Sequence, residues 1–147
     1  LVGSEMCIRD RQDPAFTVEE LEEAMQKVMD QYAGGIGTHY QFNEKQLAMA
    51  EEKIKKLQIL AKGLAAADMH ELMFIYELKE RLTVCLTVIA HLRARKETRW
   101  HSFAENLDYP EKSDAWLCYV NSKKNGDQIT MIRRDLVKGG ETYEHRD

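Results

Sequence analysis

Charged and aromatic side chains crowd into one short stretch in the second half of the chain. Arg95, Glu97 and Arg99 alternate, and Trp100 follows directly. Guanidinium and carboxylate groups pair through two parallel hydrogen bonds, which makes them strong and directional contacts. Cations at a helix C-terminus also gain ~0.3–1 kcal/mol from the exposed carbonyls. Because that effect explains neither Glu97 nor Trp100, we interpret the run as a docking segment that pairs across an interface.

The docking segment continues with residues of the same kinds. Asp108-Tyr109-Pro110 predicts a turn, and Trp116 supplies a second indole. Tryptophan side chains anchor one protein surface on another more often than they form a cofactor platform. The candidate residues for docking to a domain or subunit are Arg95, Glu97, Arg99, Trp100, Asp108, Tyr109 and Trp116.

Several enzyme signatures can be tested and rejected. His70-Glu71 begins like a zinc-protease helix, but Phe74 stands where the second histidine ligand is needed. Gly34-Gly35-Ile36-Gly37 lacks the dinucleotide fingerprint and does not follow a predicted strand. Cys85 lies among apolar residues, which favours a buried, inert thiol over a nucleophile. We therefore assign no metal site and no nucleotide site to these residues.

Three helices must position the docking segment. Thr17, Asn43 and Asp68 each have the spacing of a capping box, and apolar residues recur at helical spacing after each one. Gly34-Gly35 predicts the end of the first helix, and the third is predicted to run to about Arg95. The pattern predicts a mainly α fold, a three-helix bundle that resembles a spectrin repeat.

A small β-hairpin is predicted after the docking loop. Residues 116–122 and 128–133 alternate like strands, and Asn125-Gly126 lies between them as a turn signal. We divide the chain into a helical bundle at residues 12–100, a loop and hairpin extension at 101–137, and a flexible tail at 138–147.

Composition limits the class of protein. The 147 residues suffice for one domain with its own core. The net charge of -4 is mild and both signs are mixed, which argues against a nucleic-acid surface. No apolar run is long enough to span a membrane. Three cysteines without metal-ligand spacing indicate reduced thiols and a cytoplasmic protein.

The first eleven residues do not look like natural protein. The run from Leu1 to Arg11 resembles a translated sequencing adapter, and it lacks the apolar segment of a signal peptide. We therefore expect the natural chain to continue upstream, with this sequence as its C-terminal fragment.

Five stretches resemble, in order, the C-terminal helical region of flavoprotein subunits in the fumarate reductase and succinate dehydrogenase superfamily. They are residues 26–35, 68–73, 95–100, 108–110 and 120–122. The run from Arg95 to Arg99 is similar to that superfamily's Arg-x-Glu-(Ser/Thr)-Arg motif. Trp100 follows it, as in the adenylylsulfate reductase branch, where succinate dehydrogenases have glycine.

The resemblance implies a helical bundle appended to a large FAD-binding domain. The flavin, the substrate-binding arginines and the catalytic histidine of the family lie upstream, so this chain would hold no catalytic and no cofactor-binding residue. The implied parent is a flavin oxidoreductase of sulfur metabolism that converts adenylylsulfate to sulfite and AMP, or runs in reverse. Its partners would be its own upstream FAD-binding domain and a ferredoxin-like iron–sulfur beta subunit.

Two other functions stay open on the sequence. The parent could act on fumarate, succinate or another acid within the same superfamily. Alternatively, the chain could be a free-standing helical interaction module without flavin, with a reading frame that starts near Gln12.

Overall fold

The computed structural model describes residues 15–137, and these form three α-helices and a small antiparallel hairpin. The mainly helical fold predicted from the sequence is confirmed. The elements, in chain order, are α1 (Val18–Tyr32), a 3-10 helix (Ile36–Thr38), β1 (Gln41–Phe42), α2 (Glu44–Ala61), α3 (Met69–Ala94), β2 (Glu105–Asn106), a second 3-10 helix (Asp114–Trp116), β3 (Cys118–Asn125) and β4 (Gln128–Asp135).

The helices begin at the three predicted caps. Thr17 forms a complete capping box, since its hydroxyl accepts from Glu20 N at 3.2 Å and its own N–H donates to the Glu20 carboxylate at 2.9 Å. Asn43 and Asp68 cap α2 and α3 through their side chains. The full box predicted at Asn43 does not form, because Gln46 Oε1 is buried without a hydrogen-bond partner within residues 15–137.

All three helices contribute to one apolar core. Its largest fully buried side chains lie on α2 and α3, and α1 closes the third side. Burial of each such side chain stabilises the fold by roughly 1.5–3 kcal/mol, far more than any exposed ion pair. The buried core residues of the helices include Leu21, Met25, Leu47, Ile54, Leu57, Leu78, Leu82 and Ile89.

The connection from α1 to α2 is held close to α1 by glycines. Gly34 has a φ of +76°, the left-handed conformation that ends the helix as predicted. A Cβ atom on Gly35 would lie 2.4 Å from the Cα of Asp30, so only glycine fits there. The Asp30 carboxylate accepts a hydrogen bond from Gly37 N at 3.0 Å. The loop is therefore folded onto α1 before it reaches β1.

A short parallel strand pair joins this connection to the loop that follows α3. Gln41 pairs with Glu105 and Phe42 pairs with Asn106. The extension predicted at 101–137 had no strand before residue 116, so β2 was missed. The backbone bonds are Glu105 N to Tyr40 O at 2.9 Å and Leu107 N to Phe42 O at 2.8 Å. Through them the loop is tied to the end of the helical core.

The hairpin is longer than predicted, and its turn lies one residue further along. Asn125 pairs with Gln128, which leaves Gly126 and Asp127 as the two loop residues. Gly126 has a φ of +61°, a conformation that glycine adopts without strain. One face of the hairpin, including Ile129 and Met131, borders a groove against α3.

None of the three α-helices within residues 15–137 has both the length and the apolar character of a membrane-spanning segment.

Candidate functional site

The candidate site begins where the chain leaves α3 and becomes extended. Arg95, which follows the helix, has φ -86° and ψ 105°. The chain then bends at Glu97 and at Arg99. On a helix, side chains two residues apart diverge. The end of α3 and the bends that follow it therefore bring Arg95, Glu97 and Arg99 together.

Glu97 is the centre of a buried ion-pair cluster. Its side chain has 0% exposure, and both of its oxygens accept hydrogen bonds. Arg99 donates through Nε at 3.0 Å and through Nη2 at 2.9 Å, the two-bond geometry of a strong pair. Arg95 Nη1 donates at 2.6 Å, and the backbone N–H of Ser113 donates at 3.0 Å. We call Arg95, Glu97 and Arg99 the Glu97 cluster.

The Glu97 cluster holds its carboxylate in the charged form. Burial raises the pKa of Glu97, but the hydrogen bonds from Arg99, Ser113 N and Arg95 outweigh burial and lower the pKa to about 2. A carboxylate with such a low pKa cannot serve as a proton donor near neutral pH. The arrangement is suited to fixing backbone positions.

Arg95 also fixes the start of the hairpin. Its guanidinium donates to Trp116 O at 2.8 Å and to Cys118 O at 3.0 Å. The ring of Trp116 is half-buried and lies beneath the guanidinium of Arg133, 4.3 Å from the ring centroid. Arg133 also donates a hydrogen bond to Ala115 O. Arginines from two elements thus hold the segment that leads into β3.

A second network, centred on Thr98, shapes the loop from residue 98 to 111. Thr98 has 0% exposure; its hydroxyl donates to Tyr109 O at 2.8 Å and accepts from Asn106 N at 3.0 Å. Its backbone N–H donates to Glu111 O at 3.2 Å. Through its hydroxyl and its backbone N–H, Thr98 therefore joins the backbone at Asn106, Tyr109 and Glu111.

Asp108 connects the same loop to α2. Its Oδ2 accepts a hydrogen bond at 2.7 Å from Glu44 N, the first residue of that helix. Negative charge at a helix N-terminus is favourable, because the first N–H groups lack partners within the helix. Asp108 N donates to Asn106 Oδ1 at 3.0 Å, which fixes the carboxylate at this position. The role of Asp108 in the structure is to join loop and helix.

The outer surface of the loop is aromatic. Trp100 is 67% exposed, Phe103 is 70% exposed and Tyr109 is 42% exposed. Phe103 contacts Tyr40 of the α1–α2 connection, with ring centroids 6.3 Å apart. We call Trp100, Phe103 and Tyr109 the aromatic patch. Large exposed apolar surfaces of this kind mark interaction sites more often than plain solvent-facing surface.

The structure assembles the predicted docking residues in a different way from the one expected. Glu97 pairs with its neighbouring arginines inside the chain, whereas the sequence predicts that the run pairs across an interface. Trp100 and Tyr109 remain on the surface, while Trp116 is half-buried. Sequence reasoning missed Thr98 and Arg133. Thr98 lies inside the motif and could have been noticed, but the place of Arg133 depends on the hairpin register.

Three other features within residues 15–137 were candidates for a chemical site: a groove, the possible metal ligands and a cysteine thiol. The groove between α3 and the hairpin has a volume of about 450 Å³. Three charged groups on its wall already pair, since Arg93 binds Glu51 as well as Glu44, and Lys55 also binds Glu51. Among the described residues no group of three histidine, cysteine or acidic side chains could hold a metal ion. Burial raises the pKa of the Cys85 thiol, which disfavours the reactive thiolate.

Known proteins match this fold and this sequence. The model of the family described as "Fumarate reductase flavoprotein C-term" matches residues 22–141. The adenylylsulfate reductase subunit alpha of Megalodesulfovibrio gigas is 34% identical over 98 residues, which cover 66% of this chain and 15% of that protein. The chain therefore spans a small part of the length of this curated relative.

Two solved reductase structures also match this chain in sequence and in fold. An adenosine-5-phosphosulfate reductase, solved in complex with sulfite as a covalent adduct, has a TM-score of 0.82 at 37% identity, and the match covers 88% of this chain and 21% of that one. The adenylylsulfate reductase of Archaeoglobus fulgidus has a TM-score of 0.81 at 36% identity, with the same coverage.

A more distant structure shares the fold. The E. coli quinol fumarate reductase has a TM-score of 0.73 at 19% identity, and the match covers 91% of this chain and 23% of that one. Because the family model extends over residues 22–141, most of the sequence is accounted for. The chain belongs to the fumarate reductase flavoprotein C-terminal family.

Proposed function

We propose that this chain is the C-terminal scaffold region of the alpha subunit of an FAD-dependent adenylylsulfate reductase. The complete enzyme would carry out the two-electron reduction of adenylylsulfate to sulfite and AMP, or the reverse reaction. The observation that carries the proposal is the identity of 37% and 36%, over 88% of the chain, to two reductases of this kind. The fumarate reductase likeness, at 19% identity, supports the fold and leaves the fumarate or succinate alternative weaker.

The glycine-rich loop at residues 34–37 does not fit the phosphates of FAD. A flavin dinucleotide needs free backbone N–H groups or cations for its phosphates. The glycine-rich loop at residues 34–37 follows a helix, and Asp30 already occupies the N–H of Gly37. A Cβ at Gly35 would meet Asp30, so the space beside that glycine is filled. We assign the flavin chemistry to the rest of the enzyme and give these residues no step in it.

The proposed role of this region is structural. We propose that residues 12–100 form a spectrin-repeat-like three-helix bundle and that residues 101–137 extend it, with a tail at 138–147 outside the described residues. The core shared by α1, α2 and α3 supports the bundle. The Glu97 cluster and the Thr98 network would hold the docking loop in one shape. A preformed loop binds with less loss of conformational entropy than a flexible one.

The proposed partners are the upstream FAD-binding domain of the same polypeptide and an iron–sulfur beta subunit, in the cytoplasm. The matched relative is named as a subunit alpha, which supports a partner subunit. Free thiols at Cys85 and Cys118 fit a reducing compartment. The docking surface within the candidate residues would be the aromatic patch, since Glu97 is buried.

The aromatic patch gives a direct prediction. Because Trp100 is 67% exposed, Trp100→Ala should change the free energy of unfolding of the 147-residue chain by no more than about 0.5 kcal/mol. In the full-length enzyme the same change should weaken docking by at least about 2 kcal/mol, as expected for a central tryptophan anchor. Thermal unfolding of the full-length enzyme and co-purification of its beta subunit measure the loss.

Ile59→Ala is the matched control for Trp100→Ala. Ile59 is 65% exposed on α2, and we place no docking role there. The control should leave both readouts unchanged. A full-length Trp100→Ala enzyme that melts like the control and retains its beta subunit equally well would contradict the docking role.

The experiment that tests the proposed function uses the contiguous gene. The full-length protein should purify with flavin absorbance and should form AMP and sulfite from adenylylsulfate, with no comparable turnover of fumarate. The 147-residue chain expressed alone should carry no flavin. If the enzyme instead turned over fumarate or succinate, adenylylsulfate would not be its substrate. A reading frame that starts near Gln12 in an intact genome would favour the interaction module.

A further inference from the structure

We propose that the outer face of α3, around Val84 and Val88, is buried in the complete enzyme against the flavin-binding portion of the same polypeptide. This inference rests on the proposed function for the identity of that portion. It assigns a docking surface distinct from the aromatic patch, on the side of α3 that faces away from the core.

The outer face of α3 is apolar where a solvated helix would be charged. Val84 is 60% exposed and Val88 is 41% exposed, while Leu82 and Ile89 on the opposite side are fully buried. Residues 82–90 contain no charged side chain, over a length of roughly 13 Å. On the outer side of α2, by comparison, Glu52 and Lys56 form an exposed ion pair, and the exposed Ile59 follows in the next turn.

Two threonines lie on this face, and their hydroxyl groups bond to the helix backbone. Thr83 Oγ1 donates to Lys79 O at 3.2 Å, and Thr87 Oγ1 donates to Thr83 O at 3.0 Å. Hydroxyls bonded to the preceding turn have little need of water. The surface between Val84 and Val88 is therefore formed by small β-branched side chains. Such side chains let a second helix or strand approach closely.

Further exposed apolar side chains lie near the start of α3, separated from Val84 by the charged residues Glu77, Glu80 and Arg81. Met69 is 67% exposed and Met73 is 55% exposed near the start of α3. Phe74, also on that first part of α3, lines a small pocket together with Phe16 and Thr17, which lead into α1. The polypeptide upstream of α1 thus arrives beside the first turns of α3, roughly 15 Å along the helix from Val84.

The length of the missing polypeptide decides the occupant. This chain corresponds to 15% of the curated relative and to 21% of the two reductase structures, and its family is the C-terminal part of a flavoprotein. Most of such a protein would precede α1. A tethered domain also has a high effective concentration at a neighbouring surface, which favours it over a separate molecule.

Thiol labelling in the full-length flavoprotein tests this burial. Val84→Cys should react with a maleimide at least about tenfold more slowly than Lys56→Cys, because labelling then requires local opening. The Lys56 side chain is 68% exposed and ion-paired, so it is the solvent-facing control. Fragmentation of the labelled peptide separates position 84 from Cys85. If Val84→Cys does not yield folded protein, Thr87→Cys serves the same purpose.

The other occupants are outcomes of the same experiment. Equal labelling rates at positions 84 and 56 would overturn the inference. So would protection that appears only as protein concentration rises, which indicates a second copy, or only after the iron–sulfur subunit is added. Flavin absorbance and adenylylsulfate turnover are measured on the same samples. Fast labelling in an active enzyme refutes the inference alone, and slow labelling in a flavoprotein without that activity refutes the substrate assignment alone.

Discussion

Glu97→Gln is expected to lower the free energy of unfolding of the 147-residue chain by about 2–3 kcal/mol. The change keeps the size of the side chain and removes the charge that Arg95 and Arg99 share. Loss of one partner from a fully buried ion pair costs more, but these two arginine side chains remain 33% and 23% exposed and can be partly hydrated. Urea unfolding monitored by circular dichroism measures the change.

Glu111→Gln is the matched control for the loss of charge. Glu111 lies in the same loop on the exposed surface, and we expect its substitution to change stability by no more than about 0.5 kcal/mol. Equal urea midpoints for the Gln variants at 97 and 111 would show that the Glu97 cluster contributes nothing to the fold.

The dependence on pH gives an independent measure of the same cluster. A folded-state pKa of about 2, below the ordinary 4.5, means that the carboxylate stabilises the fold above about pH 4.5 and that this contribution is lost as pH falls towards 2. The difference corresponds to roughly 3 kcal/mol. The stability gap between wild type and Glu97→Gln should therefore be constant near neutral pH and should close between pH 4.5 and 2. A gap that does not change over that range would contradict the low pKa.

Local signals made the helices predictable from the sequence. Thr17, Asn43 and Asp68 start the three helices because a cap needs only its own next three residues. The hairpin was also predicted near its true position, since alternation and a glycine turn are local features. Its turn lies at Gly126 and Asp127 rather than at Asn125 and Gly126.

Contacts between distant segments could not be predicted in the same way. Gln41 pairs with Glu105 across 64 residues, and a two-residue strand is too short to show any periodicity. Arg133 covers Trp116 because the hairpin register places it there, and the register follows from the folded turn. Such pairings depend on the three-dimensional path of the chain, which pattern analysis of one sequence does not contain.

The Glu97 cluster combines a local sequence signal with a contact that depends on the folded backbone. The alternation of Arg95, Glu97 and Arg99 predicts pairing across an interface, and in the structure the three groups pair with one another. Where they pair depends on the backbone, because i and i+2 side chains diverge on a helix, whereas the chain after α3 is extended at Arg95 and bends at Glu97 and Arg99. α3 ends at Ala94, one residue before the predicted end, and that ending turns a contact expected between molecules into one within the chain.

Thr98→Val is the second substitution with a large expected effect, a loss of about 2–3 kcal/mol in the free energy of unfolding. Valine has nearly the shape of threonine, so packing is kept and the hydroxyl alone is lost. Tyr109 O then loses a donor at 2.8 Å, and Asn106 N loses an acceptor at 3.0 Å. Asn106 is 6% exposed, so water cannot easily replace the threonine hydroxyl. Urea unfolding measures the loss.

Thr98→Ser separates the hydroxyl from the methyl group. Serine keeps both hydrogen bonds and removes one buried methyl, which should cost only about 1 kcal/mol. Native-state hydrogen exchange adds a local readout. The Asn106 amide should exchange faster in the valine variant than in the serine variant, because its acceptor is absent. If the serine variant proves as unstable as the valine variant, and Asn106 exchanges equally fast in both, the methyl group holds this loop and the hydroxyl does not.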